Sequence, residues 1–405
     1  MTLLPPPLDC HVLAARSVGP FVLGTPLGVV VRTLNQMEAA IPQVECKYDE
    51  SEPLGNDIVL NLSANGICLR FDPQSQRLKL IELFDFERLT LYYKDVEFNS
   101  QKVLPTFDSI YRIFGPIYPG EFDASKKEYT LTYPGIAFVF PIPQQHIPLP
   151  NLTDLPLSFP DGTTPVLNRL YVYSGSEFWR DAVAPRPKGY AGPIAIKVIG
   201  EGVSFSFNPR SVESHEDTVE ITFGAPTQDV LDALGKPQAI CARDTDPGAL
   251  GTAEVTGAND SNNASSHRAM NGGDLEAEDD DGGADDYFWN YFNLGIDILF
   301  SGAQHAVKKV VLHANAVGHW DFTQYIKAEF VVEGRGISVD SKWDDIQKAM
   351  RPTEEAGPPR PVVHNRGGHQ NPFGPTCFYG YPGIIFEVMN KTGCLASVTV
   401  FEHEP

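Results

Sequence analysis

The chain has 405 residues, of which 42% are hydrophobic and 11% aromatic, and a formal net charge of −21. The length predicts about two or three domains with cores of ordinary size, and the charge disfavours nucleic acid and anionic lipid as direct partners, because both carry phosphates. Six cysteines without a CxxC pair, no run of 18 apolar residues, and a start without a basic flank favour a reduced cytoplasmic protein with no transmembrane helix or secretory signal.

The first predicted unit covers residues 20–94 and consists of a helix followed by antiparallel strands. Pro26 opens the helical segment LGVVVRTLNQM, and proline in a first helical turn loses no hydrogen bond. The strand that begins at Gly66 has the form G-I-x-apolar-x-apolar and follows the turn dipeptide Asn65-Gly66. This pattern is typical of a hairpin whose alternate residues face one side of a sheet.

The second predicted unit covers residues 96–175. Its helix contains Ile110, Ile113 and Phe114 and ends at the pair Gly115-Pro116. The strand YPGIAFVF at 133–140 repeats the glycine-led pattern, and a proline-rich insert at 141–165 delays the last strand. Residues 176–217 are predicted to form a connecting hairpin.

The third predicted unit covers residues 218–322, with a helix that begins after Pro226 and a glycine-led strand at Gly295. Residues 243–286 interrupt it and are rich in Gly, Asn, Asp and Ser, which predicts disorder. The acidic run 274–286 within this insert fits a solubilising loop, and a loop that binds a charged partner is the alternative.

The fourth predicted unit covers residues 336–402 and includes an irregular loop at 352–375. Its helix is predicted to begin at Ser341, a favourable N-cap residue, and its strand YPGIIFEV at 381–388 closely repeats the second unit's. Four coincidental strands are the alternative. The recurrence of helix, turn and strand in order instead favours an α+β fold of about four tandem helix–meander units.

A cluster of aromatic residues is the candidate partner-binding site. Tyr287, Trp289 and Tyr291 alternate along one predicted strand and therefore share one face. Such large side chains are rarely left in water, so a neighbouring unit or a partner protein is expected to cover them.

No catalytic, cofactor-binding or metal-binding residues are predicted. The closest group is His313, His319 and Asp321. A metal site there is one reading, but histidines at strand ends that form turn hydrogen bonds explain the pattern with fewer assumptions. A direct lipid contact through Arg360, His364 and Arg366 is a further alternative.

Several longer motifs resemble the phagosome assembly factor 1 family. They are Asp286-Tyr287-Phe288, Leu294-Gly295-Ile296-Asp297-Ile298-Leu299-Phe300, Asn371-Pro372-Phe373-Gly374 and Phe386-Glu387-Val388-Met389. The chain departs from the family at Val317, where a proline usually precedes the glycine.

The resemblance implies a non-enzymatic adaptor in autophagy without cofactors, which acts with a β-propeller protein at the forming phagophore. It also implies a cytoplasmic protein recruited to the pre-autophagosomal structure, with the propeller as the phosphoinositide reader. Direct phosphoinositide or membrane binding, and less favourably a hidden hydrolase or metal enzyme, are the alternatives. The helix–meander unit also resembles the module of outer-membrane assembly lipoproteins and β-lactamase inhibitor proteins, a likeness of fold alone.

Overall fold

The structure is a computed structural model. It describes residues 7–117, 120–147, 155–185, 191–196, 202–207, 217–242, 285–350, 359–365 and 374–403. Only Asp285 and Asp286 of the insert 243–286 lie among these residues, so its predicted disorder stays a prediction. Parts of the insert 141–165, of the hairpin 176–217 and of the loop 352–375 also lie outside them.

The N-terminal half, residues 7–185, contains two helices and two sheets in its described part. The helices are α1 (Leu27–Gln36) and α2 (Phe107–Phe114). The strands are β1 (Leu8–Leu13), β2 (Ser17–Val18), β3 (Phe21–Val22), β4 (Glu45–Lys47), β5 (Ile58–Leu62), β6 (Ile67–Phe71), β7 (Leu78–Leu83), β8 (Leu89–Tyr93), β9 (Val96–Asn99), β10 (Glu121–Asp123), β11 (Glu128–Tyr133), β12 (Ile136–Pro141) and β13 (Arg169–Tyr173). A five-stranded sheet has the order β3-β2-β1-β8-β9, and an eight-stranded sheet has the order β10-β11-β12-β13-β7-β6-β5-β4.

The C-terminal half, residues 191–403, follows the same plan. Its described helices are α3 (Thr227–Leu234) and α4 (Trp343–Ala349). Its strands are β14 (Ala191–Ile196), β15 (Gly202–Phe207), β16 (Asp217–Thr222), β17 (Ala239–Ala242), β18 (Tyr287–Tyr291), β19 (Ile296–Phe300), β20 (Val307–His313), β21 (Phe330–Val332), β22 (Ile337–Ser338), β23 (Val362–His364), β24 (Thr376–Tyr381), β25 (Ile384–Met389) and β26 (Leu395–Phe401). The sheet orders are β16-β15-β14-β21-β22 and β17-β18-β19-β20-β26-β25-β24-β23.

Each eight-stranded sheet is made of two four-stranded meanders joined edge to edge. The last strands of the meanders pair antiparallel, β7 with β13 in the first sheet and β20 with β26 in the second. Each five-stranded sheet contains one parallel pair, β1 with β8 and β14 with β21. The prediction of a fold that mixes a few helices with antiparallel sheets is therefore confirmed. The likeness to the lipoprotein and inhibitor module stays a prediction.

The four glycine-led segments share one local geometry. Gly66, Gly135, Gly295 and Gly383 have φ between +70° and +78°, a region that glycine enters without steric cost. The apolar residues that alternate after them are at most 3% exposed: Ile67, Leu69, Phe71, Ile136, Phe138, Phe140, Ile296, Ile298, Phe300, Ile384, Phe386 and Val388. A turn followed by a strand whose alternate apolar side chains are buried in the core is thus formed at all four places.

The helices cover the inner faces of the eight-stranded sheets. In α1 the buried side chains include Leu27, Val30 and Leu34, and they join the N-terminal core. Val230 of α3 and Ile346 of α4 belong to the C-terminal core. The N-cap of the fourth helix differs from the prediction by one residue: Lys342 takes this position, and the Ser341 hydroxyl accepts a hydrogen bond from the backbone N–H of Ser338.

Candidate functional site

Residues 314–329, the connecting segment between β20 and β21, contact both halves of the chain. Gln76 Nε2 donates to the carbonyl oxygen of Asn315 at 2.9 Å, and Asn315 Nδ2 donates to Gln76 Oε1 at 2.6 Å. Lys327 Nζ donates to the carbonyl oxygen of Gln74 at 2.5 Å. Gln74 and Gln76 belong to the N-terminal half, so the connecting segment ties the two halves together.

The connecting segment lies on the outer face of the second eight-stranded sheet. On β19, Ile296 and Ile298 face the core, so Asp297 between them points to the opposite side. The Tyr325 hydroxyl of the connecting segment donates to both Asp297 carboxylate oxygens, at 2.8 and 3.0 Å. Asn290 Nδ2 of β18 donates to the same carboxylate at 2.8 Å.

A buried series of acids and imidazoles continues from Asp297 across the sheet. His313 Nε2 lies 2.9 Å from Asp297 Oδ2, and His313 Nδ1 lies 3.3 Å from Asp321 Oδ2. Asp321 also pairs with His319, whose Nε2 lies 3.2 Å from Glu387 Oε1. We call Asp297, His313, Asp321, His319 and Glu387 the ionic network, and each is buried.

Hydroxyl groups complete the far end of the ionic network. Thr376 Oγ1 of β24 donates to Glu387 Oε1 at 2.8 Å, and Ser397 Oγ of β26 donates to Glu387 Oε2 at 2.7 Å. The network therefore links strands β18, β19, β20, β24, β25 and β26 to the connecting segment. A buried charge is tolerable only when it is paired and hydrogen-bonded in this way.

The charges of the ionic network reinforce one another. Burial would lower the pKa of His313, but the Asp297 carboxylate and then Asp321 outweigh burial and raise it to about 10. Burial is likewise outweighed for His319, whose pKa is raised to about 9 by Asp321 and Glu387. Burial would raise the pKa values of Asp321 and Glu387, but hydrogen bonds from the histidines hold both below their usual range.

We expect the protein to lose stability as the pH rises from about 6.5 to 9. The folded pKa values of His313 and His319 exceed the ordinary 6.5, so their contribution is complete below pH 6.5 and is lost as the pH approaches 9 to 10. The acids act oppositely: their contribution to stability is complete above their ordinary pKa values of 3.8 and 4.5 and is lost as the pH falls toward their lower folded pKa values. Each histidine changes the free energy of unfolding by at most about 1.4 kcal/mol per pH unit.

Urea denaturation followed by circular dichroism at several pH values measures this profile. His364→Gln is a suitable control, because His364 is exposed on β23 and lies outside the ionic network. A free energy of unfolding that stays flat or rises between pH 6.5 and 9 would contradict the assigned charges.

The ionic network has the geometry of a structural element. The hydroxyls of Tyr325, Ser397 and Thr376 all donate to carboxylates of the network and so satisfy the buried negative charges of Asp297 and Glu387. Within the described residues, no group of three or more His, Cys, Asp or Glu side chains is placed to hold a metal ion. None of the three described cavities is lined by a member of the network.

Sequence reasoning located His313, His319 and Asp321 but missed the distant partners of the histidines. His319 does form a local hydrogen bond with Asp321, two residues away, but His313 also pairs with Asp297 of β19 and His319 with Glu387 of β25. Asp297, Tyr325 and Glu387 were missed, because 16 to 68 positions separate the paired residues. The available signal was an acid inside an otherwise apolar strand, as in GIDILF and IIFEVM.

The predicted aromatic contacts lie on the inner face of β18, toward α3. Tyr291 is 1% exposed, and its hydroxyl donates to the carbonyl oxygen of Gly235, just after the end of α3, at 3.0 Å. The Trp289 ring lies 4.8 Å from the Phe300 ring, and Tyr287 stacks on Phe300 at 5.6 Å. The helix and core of the same unit thus cover much of this face, and a partner contact through it stays a prediction.

The residues predicted as a lipid contact are only partly described. Arg360 and His364 are exposed. Arg366 lies outside the described residues. Within the described part of the chain, no helix is long and apolar enough to cross a membrane.

Comparisons with known proteins give one consistent result. The family described as phagosome assembly factor 1 matches residues 17–265 and 267–401. The chain is 35% identical over 409 residues to a PHAF1 protein of Arabidopsis thaliana, covering 95% of this chain and 91% of the relative. A PHAF1 protein of Drosophila melanogaster is 31% identical, covering 98% of this chain and 95% of the relative. A PHAF1 protein of Caenorhabditis elegans is 30% identical, covering 94% of this chain and 90% of the relative. No solved structure matches the chain.

Proposed function

The chain belongs to the phagosome assembly factor 1 family, and we propose that it is a non-enzymatic adaptor in autophagy. In this proposal it acts in the cytoplasm and joins a β-propeller protein at the forming phagophore. The observation that carries the proposal is the family relationship, which extends over nearly the whole chain. An assembly factor acts by binding other proteins. A chain built largely of β-sheets offers sheet surfaces and edges for such binding.

The charge of the chain supports an indirect route to the membrane. A net charge of −21 opposes adsorption to anionic phosphoinositide headgroups. A propeller that binds the phosphoinositide headgroup would supply the membrane contact, and the adaptor would bind the propeller. In this proposal the helix–meander units contribute the sheet surface that the propeller binds.

The same proposal assigns the exposed edges of the Tyr287 and Trp289 rings to the contact with the partner protein. Both are half-buried against the core, and Tyr291 holds β18 against the end of α3. The part of each ring that remains exposed is a suitable aromatic contact for a partner.

Capture of the purified propeller by the immobilised chain tests the proposal. We expect the wild-type chain to retain the propeller, and we expect Trp289→Ala to weaken capture. Circular dichroism melting of the same variant separates two reasons for the loss. Weakened capture with an unchanged melting temperature identifies a contact residue, whereas a lower melting temperature identifies a core residue, whose truncation costs about 3–5 kcal/mol. Failure of the wild-type chain to retain the propeller would contradict the proposed function.

A further inference from the structure

A groove lies over the outer face of the first eight-stranded sheet, close to its β10 edge and opposite the helices. It has a volume of ≈ 630 Å³, the largest of the three cavities described, and this lies within the roughly 300–1,000 Å³ range of ligand pockets. Thr130 and Thr132 of β11, Glu121 of β10, and Glu177 and Phe178 from the loop after β13 line it. We call it the β10 groove.

The strand that borders the groove is the last strand of its sheet. β10 pairs with β11 through Glu121 opposite Thr130 and Asp123 opposite Glu128. On its other side, β10 has no strand partner among the described residues. An edge strand presents unpaired N–H and C=O groups, to which an extended segment can add as a further strand.

The lining of the groove is apolar in part and acidic in charge. Phe178 is 45% exposed, and Ile117 adds a second apolar side chain. Glu121 and Glu177 are exposed, and neither has an ion-pair partner among the described residues. Among the described residues that line the groove there is no Lys, Arg or His, so an occupant with positive charge is favoured and an anionic headgroup is disfavoured.

We propose that an extended segment of a partner protein pairs with the free edge of β10 and places a basic and an apolar side chain in the adjoining β10 groove. Residues two apart in such a strand point to the same face, so a lysine or arginine could meet Glu121 or Glu177 while its second neighbour meets Phe178. The inference rests on the proposed adaptor function, because it assigns to this chain a surface for a protein partner.

Fluorescence anisotropy with synthetic peptides tests the inference. The probes are labelled nonapeptides of alternating pattern, with Lys or Arg at one central position and Phe, Leu or Val two residues away. Each has two control peptides. In one, Glu replaces the basic residue, and in the other, the backbone is N-methylated at the central positions. We expect nonapeptides with Lys or Arg to bind the full chain, and we expect both control peptides to bind about tenfold more weakly.

Charge-reversal variants assign the binding to the groove. Glu121→Lys combined with Glu177→Lys should weaken binding of the basic nonapeptides about tenfold, and Phe178→Ala should weaken it about fivefold. Glu38→Lys combined with Glu52→Lys is the matched control, because both residues are exposed elsewhere on the N-terminal half. The affinity of this variant for the basic nonapeptides should stay within about twofold of the wild-type value. All these positions are exposed, so the variants are expected to fold.

Two results would overturn the inference: no basic nonapeptide binds, or those that bind do so equally well after the double charge reversal. If that happens while the chain still captures the propeller, the adaptor function stands and the partner uses another surface. If the peptides bind in the groove but the propeller is not captured, the groove stands and the proposed function fails.

Discussion

Replacing Ile384 with aspartate should abolish cooperative unfolding of the C-terminal half. Ile384 is 0% exposed on β25, opposite Val400 of β26, and belongs to the C-terminal core. The change buries an unpaired carboxylate and removes a large apolar side chain, and together these cost more than about 5 kcal/mol. This approaches the total stability of a typical domain. Urea denaturation followed by circular dichroism should show no sigmoidal transition for this half.

Ile240→Asp provides a matched control in the same sheet. Ile240 lies on the edge strand β17 and is 63% exposed. The same chemical change at this position should alter the free energy of unfolding by only about 0.5 kcal/mol. A wild-type transition for Ile384→Asp would show that β25 does not place this residue in a core.

Replacing Asp321 with alanine should destabilise the protein by about 3–5 kcal/mol. Asp321 pairs with both His313 and His319, so its removal leaves two buried imidazolium groups with one carboxylate partner each. Removing one partner of a buried ion pair costs this much, because the remaining charge stays desolvated. The free energy of unfolding at pH 6.5, from urea denaturation, is the quantity to compare.

Two further variants show whether charge is the cause. Asp321→Asn keeps the shape and removes the charge, so it should be nearly as unstable as Asp321→Ala. Asp344→Ala removes an exposed acid from the first turn of α4 and should cost at most about 1 kcal/mol. A cost below about 1 kcal/mol for Asp321→Ala would mean that the ionic network adds little to stability.

Local features of the fold could be predicted from the sequence. Glycine before an alternating apolar strand fixes the turn and the buried face together, because both depend on neighbouring residues. All four such strands, led by Gly66, Gly135, Gly295 and Gly383, form as expected. The N-cap of α4 was misplaced by one residue: serine is the better N-cap by type, but Lys342 takes the position, next to Cys394 in an isolated β-bridge that the local sequence does not reveal.

Pairing between distant elements could not be predicted. Alternation shows which face of β7 or β13 is buried, but it does not show that their edges join. The ionic network depends on the same kind of information, since His319 meets Glu387 only after β25 is placed beside β26 and the connecting segment crosses them. The α+β class could be predicted, because the recurrence of helix, turn and strand along the chain does not depend on how distant strands pair.

Vesicle flotation with and without the propeller tests the central claim most directly. The purified chain is mixed with phosphoinositide-containing vesicles, alone and with the purified β-propeller protein, and the floated fraction is measured. We predict that the chain floats only in the presence of the propeller. Flotation of the chain alone to the same extent would contradict the account and favour direct membrane binding.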